Sequence, residues 1–261
     1  MTIPMDNFDK LSIILAVLTA VASGLLGSFA LMRRMALAGD AFSHIALPGI
    51  ALALLFHVNP IIGGAVALII GAFIIWRVEK LSGLNTEAVT GVLFTVSLAL
   101  GALTIGQDHE LVDTLFGGIS KFSVYEFIIG VIVALIIIIF VIYRRHALVL
   151  SLISKDLAKT AHLSTEKLEW QFLLLFALTV VLGLKFLGVL LMGSLIIIPA
   201  AIARNLAHNL NSLLIISALS AVLAMVGGMI LSTYFALQLG PAIIIVAGGL
   251  FVLSLLRVRS I

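Results

Sequence analysis

The sequence contains no cysteine, and only 10% of its 261 residues are charged whereas 62% are hydrophobic. Soluble globular domains carry about a quarter charged residues, so this composition excludes a soluble enzyme, a nucleic-acid-binding protein and a disordered chain. The absence of cysteine excludes disulfides, thiolate metal sites and thiol catalysis, which leaves His, Asp, Glu and backbone oxygens as metal ligands. The mean hydropathy of +1.31 therefore predicts an integral membrane protein.

Sequence motifs of ATP hydrolysis and proteolysis are also absent. The chain has no G-x-x-x-x-G-K-[ST] loop for nucleotide phosphates and no H-E-x-x-H or G-x-S-x-G motif. We therefore expect that the chain is not an enzyme and does not hydrolyse ATP by itself. The net charge of +3 reflects orientation signals in loops and does not predict a nucleic-acid partner.

Long uncharged stretches predict the membrane-spanning helices, because about 20 apolar residues are needed to cross the hydrocarbon core. The first stretch is too long for the core of a signal peptide, so we expect it to be retained. The last stretch, Asn205 to Leu256, is divided into two spans by Gln238-Leu239-Gly240-Pro241. The remaining stretches each predict one span: Leu11 to Met32, Val58 to Trp76, Ala88 to Gln107, Phe127 to Tyr143, Trp170 to Leu184 and Phe186 to Ala203.

A ninth span is predicted in Ala36 to Phe56, where the apolar part after His44 contains only 12 residues. Twelve helical residues rise about 18 Å, less than the hydrocarbon thickness, so a crossing here has to include residues back toward Asp40. Pro48-Gly49 is expected to break or bend this helix. The sequence thus predicts an all-α polytopic membrane protein with about nine spans, eight being the alternative, in a single domain over residues 1–261.

Lysine and arginine are distributed unevenly between alternate loops. With nine spans and the N-terminus outside, twelve of these residues lie inside and three lie outside. An excess of Lys and Arg marks the cytoplasmic side, so we predict an outside N-terminus and an inside C-terminus. The inward residues are Arg33, Arg34, Arg77, Lys80, Arg144, Arg145, Lys155, Lys159, Lys167, Arg204, Arg257 and Arg259, and the outward ones are Lys10, Lys121 and Lys185.

An acidic loop is predicted on the outer side, between Gln107 and Lys121. It is either an entrance that attracts cations or an ordinary solvated loop. His57, at the outer end of the second span, likewise either lines an entrance or faces water. The loop residues that would attract cations are Asp108, His109, Glu110 and Asp113.

The longest polar segment, Arg144 to Glu169, is predicted on the inner side. Ser154 or Asp156 is placed to cap a short helix within residues 151–165. That helix is too polar to enter the bilayer and too short to stand alone, so we expect it to lie parallel to the membrane. Such a surface helix favours docking of a cytosolic partner.

Asp40 and His44 are an ionisable pair that we expect to lie within the membrane, because the second span has to include them. Four residues apart on a helix, they share a face at about 6 Å and are close enough to hold one cation. Two ligands do not complete a transition-metal shell, but a two-fold homodimer would supply two Asp and two His. That shell suits Zn²⁺ and is acceptable to Mn²⁺ or Fe²⁺. The alternative is that Asp40 caps the helix and His44 is hydrogen-bonded nearby, and the spacing alone leaves both open.

Several short motifs follow one another along essentially the whole chain. The leading block contains Leu26-Gly27-Ser28-Phe29, Arg33-Arg34-Met35-Ala36, Gly39-Asp40-Ala41-Phe42-Ser43-His44 and Leu47-Pro48-Gly49. The later blocks are, in order, Val58-Asn59-Pro60, Ser154-Lys155-Asp156-Leu157-Ala158, Lys185-Phe186-Leu187-Gly188-Val189-Leu190-Leu191 and Ile196-Ile197-Ile198-Pro199-Ala200-Ala201-Ile202-Ala203-Arg204. Together these blocks resemble one known family, the permease subunits of zinc, manganese and iron ABC importers.

The resemblance implies a homodimeric permease of the bacterial cytoplasmic membrane, with a helical fold related to the type II importers. It implies that an extracytoplasmic solute-binding protein delivers the metal ion and that two cytosolic ATPase subunits drive transport, with no permanently bound cofactor. Asp40 and His44 match the family's intramembrane metal positions. The block Val58-Asn59-Pro60 and the block from Lys185 to Arg204 look most like those of zinc permeases. The residues implied to couple to the ATPase are Ser154, Asp156, Leu157, Ala158 and Lys159. A stand-alone secondary metal transporter or channel is the alternative function.

Overall fold

The computed structural model describes residues 10–104, 123–188 and 191–258, and within these ranges all regular structure is α-helical. The prediction of an all-α fold is confirmed. The helices, in chain order, are α1 (Lys10–Met32), α2 (Ala38–Leu55), α3 (Pro60–Ser82), α4 (Thr86–Thr104), α5 (Val124–Ile153), α6 (Lys155–Thr160), α7 (Thr165–Leu187), α8 (Met192–Leu206), α9 (Leu210–Phe235) and α10 (Leu239–Val258).

Every predicted span corresponds to an apolar helix. Among the described residues, seven helices are long and apolar enough to cross a membrane, namely α1, α2, α3, α5, α7, α9 and α10. The apolar helices α4 and α8 are shorter, with apolar stretches at Thr86–Gly101 and Met192–Leu206. The chain is therefore a multi-pass membrane protein.

The second span forms a full-length helix, α2, because it extends back through Asp40 as predicted. Pro48 lies inside α2 without ending it, so of the expected break or bend the break does not occur. A proline inside a membrane helix is tolerated where neighbouring helices support the freed backbone, and α2 packs against α3, α4 and α8. Gly49 and Gly63 permit the closest of these contacts, because a Cβ atom on Gly49 would lie 2.5 Å from Cβ of Ala67.

Helix α1 is the centre of the bundle and packs against α5, α7, α8 and α9. The apolar window of α1 is 72% buried, whereas that of α5 is only 22% buried. Small residues permit the approach, since Ser217 Oγ on α9 donates to the carbonyl oxygen of Gly24 at 2.6 Å. A Cβ atom on Gly27 would likewise collide with the carbonyl oxygen of Ile196 on α8.

Two predicted boundaries are wrong. Helix α5 continues ten residues beyond Tyr143 to Ile153, so the first part of the inner polar segment is helical. Helix α7 runs past Lys185 to Leu187, and α8 begins only at Met192. The Lys185 ammonium group pairs with the Glu126 carboxylate at 2.9 Å, so its charge does not interrupt the helix. The turn comes instead at Gly188, whose φ of 74° is one that glycine adopts readily.

Candidate metal centre and coupling helix

Asp40 lies in the first turn of α2, where this helix meets the beginning of α8. A Cβ atom on Gly39 would lie 2.9 Å from Cα of Gly193, and one on Gly193 would collide with the backbone nitrogen of Asp40. Glycine at both positions is therefore what allows the two helix starts to touch. Helix N-termini are electropositive, so both helices place Asp40 where a carboxylate is electrostatically favoured.

The Asp40 and His44 side chains approach each other along one face of α2. Asp40 Oδ1 lies 4.0 Å from His44 Nε2, and the Asp40 side chain is 59% exposed whereas that of His44 is 16% exposed. This distance is too long for a hydrogen bond. A tetrahedral zinc ion would bring two such atoms to about 3.4 Å, so a small side-chain adjustment allows both to bind one ion.

The surroundings of His44 leave its ring without hydrogen-bond partners from the described residues. Its Nδ1 atom is buried and has no partner in this part of the chain. The Phe94 ring on α4 packs edge-on against the imidazole with 4.9 Å between ring centroids. The N-cap of α2 is Leu37, which makes no side-chain capping bond, so Asp40 is not the capping residue.

No third acidic or histidine side chain joins this pair within the described ranges, where groups of three or more His, Cys, Asp or Glu suited to a metal ion are absent. Asp40 and His44 thus supply two ligands of the four or more that a transition-metal ion needs. Completion of the shell by a second protomer stays a prediction.

Of the residues predicted to form the outer entrance, the structure describes His57. His57 lies directly after α2 on the exposed surface, with a φ of 55° that is uncommon for a residue other than glycine. The remaining residues of the predicted entrance, Asp108, His109, Glu110 and Asp113, lie outside the described residues.

The predicted short inner helix is present as α6. Its Leu157 N–H donates to Ser154 Oγ at 3.3 Å, so Ser154 caps the helix as predicted. Ala158 is fully buried, whereas Asp156 is exposed and Leu157 is 53% exposed. The helix is therefore anchored through Ala158 and exposes Leu157 on its surface. The side chain of Lys159 lies outside the described part of the structure.

Arg33 is a residue whose importance the sequence analysis missed, because it was counted only among the inward cations. Its guanidinium carbon lies 4.4 Å from the centroid of the Phe172 ring on α7. Burial lowers the pKa of Arg33, while the nearby carboxylates of Glu169 on α7 and Glu79 on α3 act in the opposite direction. Arg33 thus connects the end of α1 to α7. In the sequence, Arg33 is distinguished only because it and Arg34 form a pair of cations directly after an apolar span.

A second contact links α3 to α7 at the same end of the bundle. Lys80 Nζ donates to Glu166 Oε2 at 2.7 Å. Because α7 begins a few residues after α6, the Arg33–Phe172 contact joins the neighbourhood of the short helix to the segment that leads into α2, and the Lys80–Glu166 pair joins it to the end of α3.

Known proteins are similar to this chain in sequence and in fold over most of their length. The high-affinity zinc uptake system membrane protein ZnuB of Haemophilus influenzae is 33% identical over 249 residues, covering 94% of both chains. The manganese transport system membrane protein MntC of Halalkalibacterium halodurans is 29% identical and covers 92% of this chain and 83% of its own. These relatives are named as membrane proteins of transport systems.

A solved structure, PsaBC from Streptococcus pneumoniae in complex with Fab, matches this chain with a TM-score of 0.79 and 27% identity. The match covers 93% of this chain and 88% of that one. The model of the ABC 3 transport family matches residues 5–258. The resemblance noted in the sequence is confirmed, and the chain belongs to the ABC 3 transport family, the permeases of metal ABC importers.

Proposed function

We propose that this chain is the permease of a binding-protein-dependent importer that moves a divalent transition-metal ion, zinc, into the cytoplasm. The observation that carries the proposal is the Asp40–His44 pair, held on one face of α2 in a chain of this family. An exposed carboxylate beside an imidazole without hydrogen-bond partners suits a substrate ion that is bound and then released, since neither ligand is a thiolate.

The metal shell is completed by a second copy of the chain. The exposed side of Asp40 is available to a partner, and a two-fold axis beside the pair would add a second Asp and a second His. The substrate ion would then lie between the protomers on a shared route.

ATP binding and hydrolysis by separate cytosolic subunits would drive alternating access through α6. Nucleotide-dependent closure of two ATPases displaces the two α6 helices, and each α6 is followed directly by α7. Helix α7 holds Arg33 through Phe172, so a movement of α7 reaches the segment between α1 and α2 and thus Asp40.

We choose zinc over manganese and iron because the sequence blocks near Val58 and Lys185 resemble zinc permeases and because the chain is similar to ZnuB. A manganese relative is also similar to the chain. Oxygen and nitrogen ligands serve all three ions, so the extracytoplasmic binding protein also contributes to selection.

Uptake into membrane vesicles tests the proposal. Zinc, manganese and ferrous iron are supplied to vesicles containing the chain, with and without its ATPase and binding protein. We expect ATP-dependent zinc uptake that requires both partners. Uptake by the chain alone would show a secondary transporter or channel and refute the proposal, and uptake restricted to manganese or iron would refute the choice of zinc.

A further inference from the structure

A cavity of about 530 Å³ opens at the end of the bundle where α1 and α8 finish and α9 begins. This end is the one that the distribution of Lys and Arg predicts to be cytoplasmic. Asp40 and His44 do not line the cavity, and neither does α6.

The polar side of this cavity is basic. Arg34, Arg204 and His208 line it, and the lining contains no aspartate or glutamate. Within the described ranges, none of these three side chains forms a hydrogen bond or an ion pair, although other cations at helix ends do, such as Lys80 with Glu166. Two guanidinium groups facing one space without a counter-charge favour an anion between them.

The backbone around the basic residues supports the same preference. Leu210 begins the 26-residue helix α9 at the cavity wall, so the electropositive start of that helix also faces the space.

The other side of the cavity is apolar. Leu31, Met32, Val149 and Leu213 form it, and Met32 is among the exposed large hydrophobic residues. A freely soluble anion would leave this wall in water. An amphiphile with an anionic head and an apolar body covers both sides at once.

We propose that this cavity binds the phosphate group of an anionic phospholipid from the cytoplasmic leaflet. Arg34 and Arg204 hold the phosphate oxygens by charge-assisted hydrogen bonds, and the lipid backbone and first methylenes lie against Leu31, Met32 and Leu213. Basic pockets between membrane helices on the cytoplasmic side are suited to such headgroups. Because the lipid would contact α1, α8 and α9 together, it would stabilise the inner end of the bundle next to α6.

Lipid titration tests this site. The full chain, purified in detergent, is titrated with phosphatidylglycerol or with phosphatidylcholine, and bound lipid is counted by native mass spectrometry. We expect preferential retention of phosphatidylglycerol. The double variant Arg34→Gln, Arg204→Gln should weaken this binding at least about tenfold, since two charge-assisted contacts to phosphate are lost.

The matched control is Arg77→Gln, which removes an exposed arginine from α3 at the same end of the bundle but outside the cavity. It should bind phosphatidylglycerol as the parent does. Equal retention of the two lipids by the parent, or unchanged phosphatidylglycerol binding by the double variant, would overturn the proposal.

Inorganic phosphate distinguishes the source of the anion. At millimolar concentration it should compete only weakly with phosphatidylglycerol, because it cannot use the apolar wall. If phosphate bound here and phosphatidylglycerol did not, a lipid as the source would be ruled out.

Hydrogen exchange tests the site without any variant. Phosphatidylglycerol should protect the amides of residues 204–213 and phosphatidylcholine should not. Equal protection by both lipids would contradict an anion-selective site.

Discussion

The Asp40–His44 pair shows how far local sequence periodicity leads to a site. Spacing of four residues predicted a shared helix face, and the structure places Asp40 Oδ1 and His44 Nε2 4.0 Å apart. Spacing could not reveal that Gly193, far away in the chain, would press against the backbone of Asp40. Nor could it reveal the Phe94 ring beside His44. These contacts are non-local, so only the packing of α2 against α4 and α8 creates them.

Removal of either proposed ligand should abolish metal transport without loss of the assembled permease. We expect Asp40→Ala or His44→Ala to lower zinc uptake at least about 100-fold, because even residues that only support a ligand contribute 10–100-fold. ATPase binding should be unchanged in pull-down assays. The control is His146→Ala, which removes an exposed histidine on α5. Parental uptake by an Asp40→Ala, His44→Ala double variant would refute the site.

Gly193→Ala should disturb the site through packing alone. The added methyl group would collide with the backbone nitrogen of Asp40, and overpacking of this kind costs about 1–3 kcal/mol. We expect a lower melting temperature in detergent and reduced uptake. Gly248→Ala in α10 is the matched control, because nothing lies within 4 Å of its added Cβ atom. It should leave stability unchanged or slightly raised, and equal effects of the two substitutions would contradict the close contact.

At the scale of whole elements, apolar length predicted the helices well but not their ends. Charged residues were taken as interruptions, yet Lys185 lies inside α7 because Glu126 neutralises it, and Arg145 lies inside α5 and donates to Asn211 at 3.0 Å. A charge is tolerated inside a membrane helix where a partner pairs with it, and partners are set by tertiary structure. The short helix α6 was predictable because polarity and the capping residue Ser154 are both local.

The exposed side of α6 should control coupling and not metal binding. Leu157→Ser removes a half-exposed apolar side chain from the proposed ATPase contact, so we expect weaker ATPase association and lower transport. Zinc affinity of the isolated permease, measured by calorimetry, should not change. Leu81→Ser, at the exposed end of α3, is the control and should couple normally. Normal ATPase association by Leu157→Ser would show that docking lies elsewhere.

Across the whole molecule, the inner end is held by a contact that crosses three helices. Arg33 follows α1, stacks on Phe172 of α7 and lies near the carboxylates of Glu79 and Glu169. A cation that is mostly buried is stable only with such partners, because desolvation disfavours its charge. The bundle therefore depends on Arg33 more than on the exposed cations around it.

Arg33→Met should destabilise the permease. Methionine keeps much of the volume but removes the charge that faces Phe172 and lies near the two carboxylates, and loss of a desolvated cation–π contact costs about 2 kcal/mol. Thermal unfolding in detergent measures the loss. Arg77→Met, at an exposed position on α3, should shift stability by less than about 0.5 kcal/mol. Similar melting temperatures for both variants would show that Arg33 is solvated.

The composition of α2 has a consequence for biogenesis. With a mean hydropathy of 1.4, α2 is the least apolar of the seven candidate spans, and it carries Asp40 and His44. Ionisable residues make insertion of a lone segment from the translocon less favourable, by about 2.5–3.5 kcal/mol for an aspartate at the helix centre and by less in the first turn, where Asp40 lies. Helix α3 has a hydropathy of 2.3 and meets α2 closely at Gly49 and Gly63. We therefore expect the two helices to enter the bilayer as a hairpin, in which the strongly apolar α3 offsets the cost of carrying Asp40 and His44 in α2.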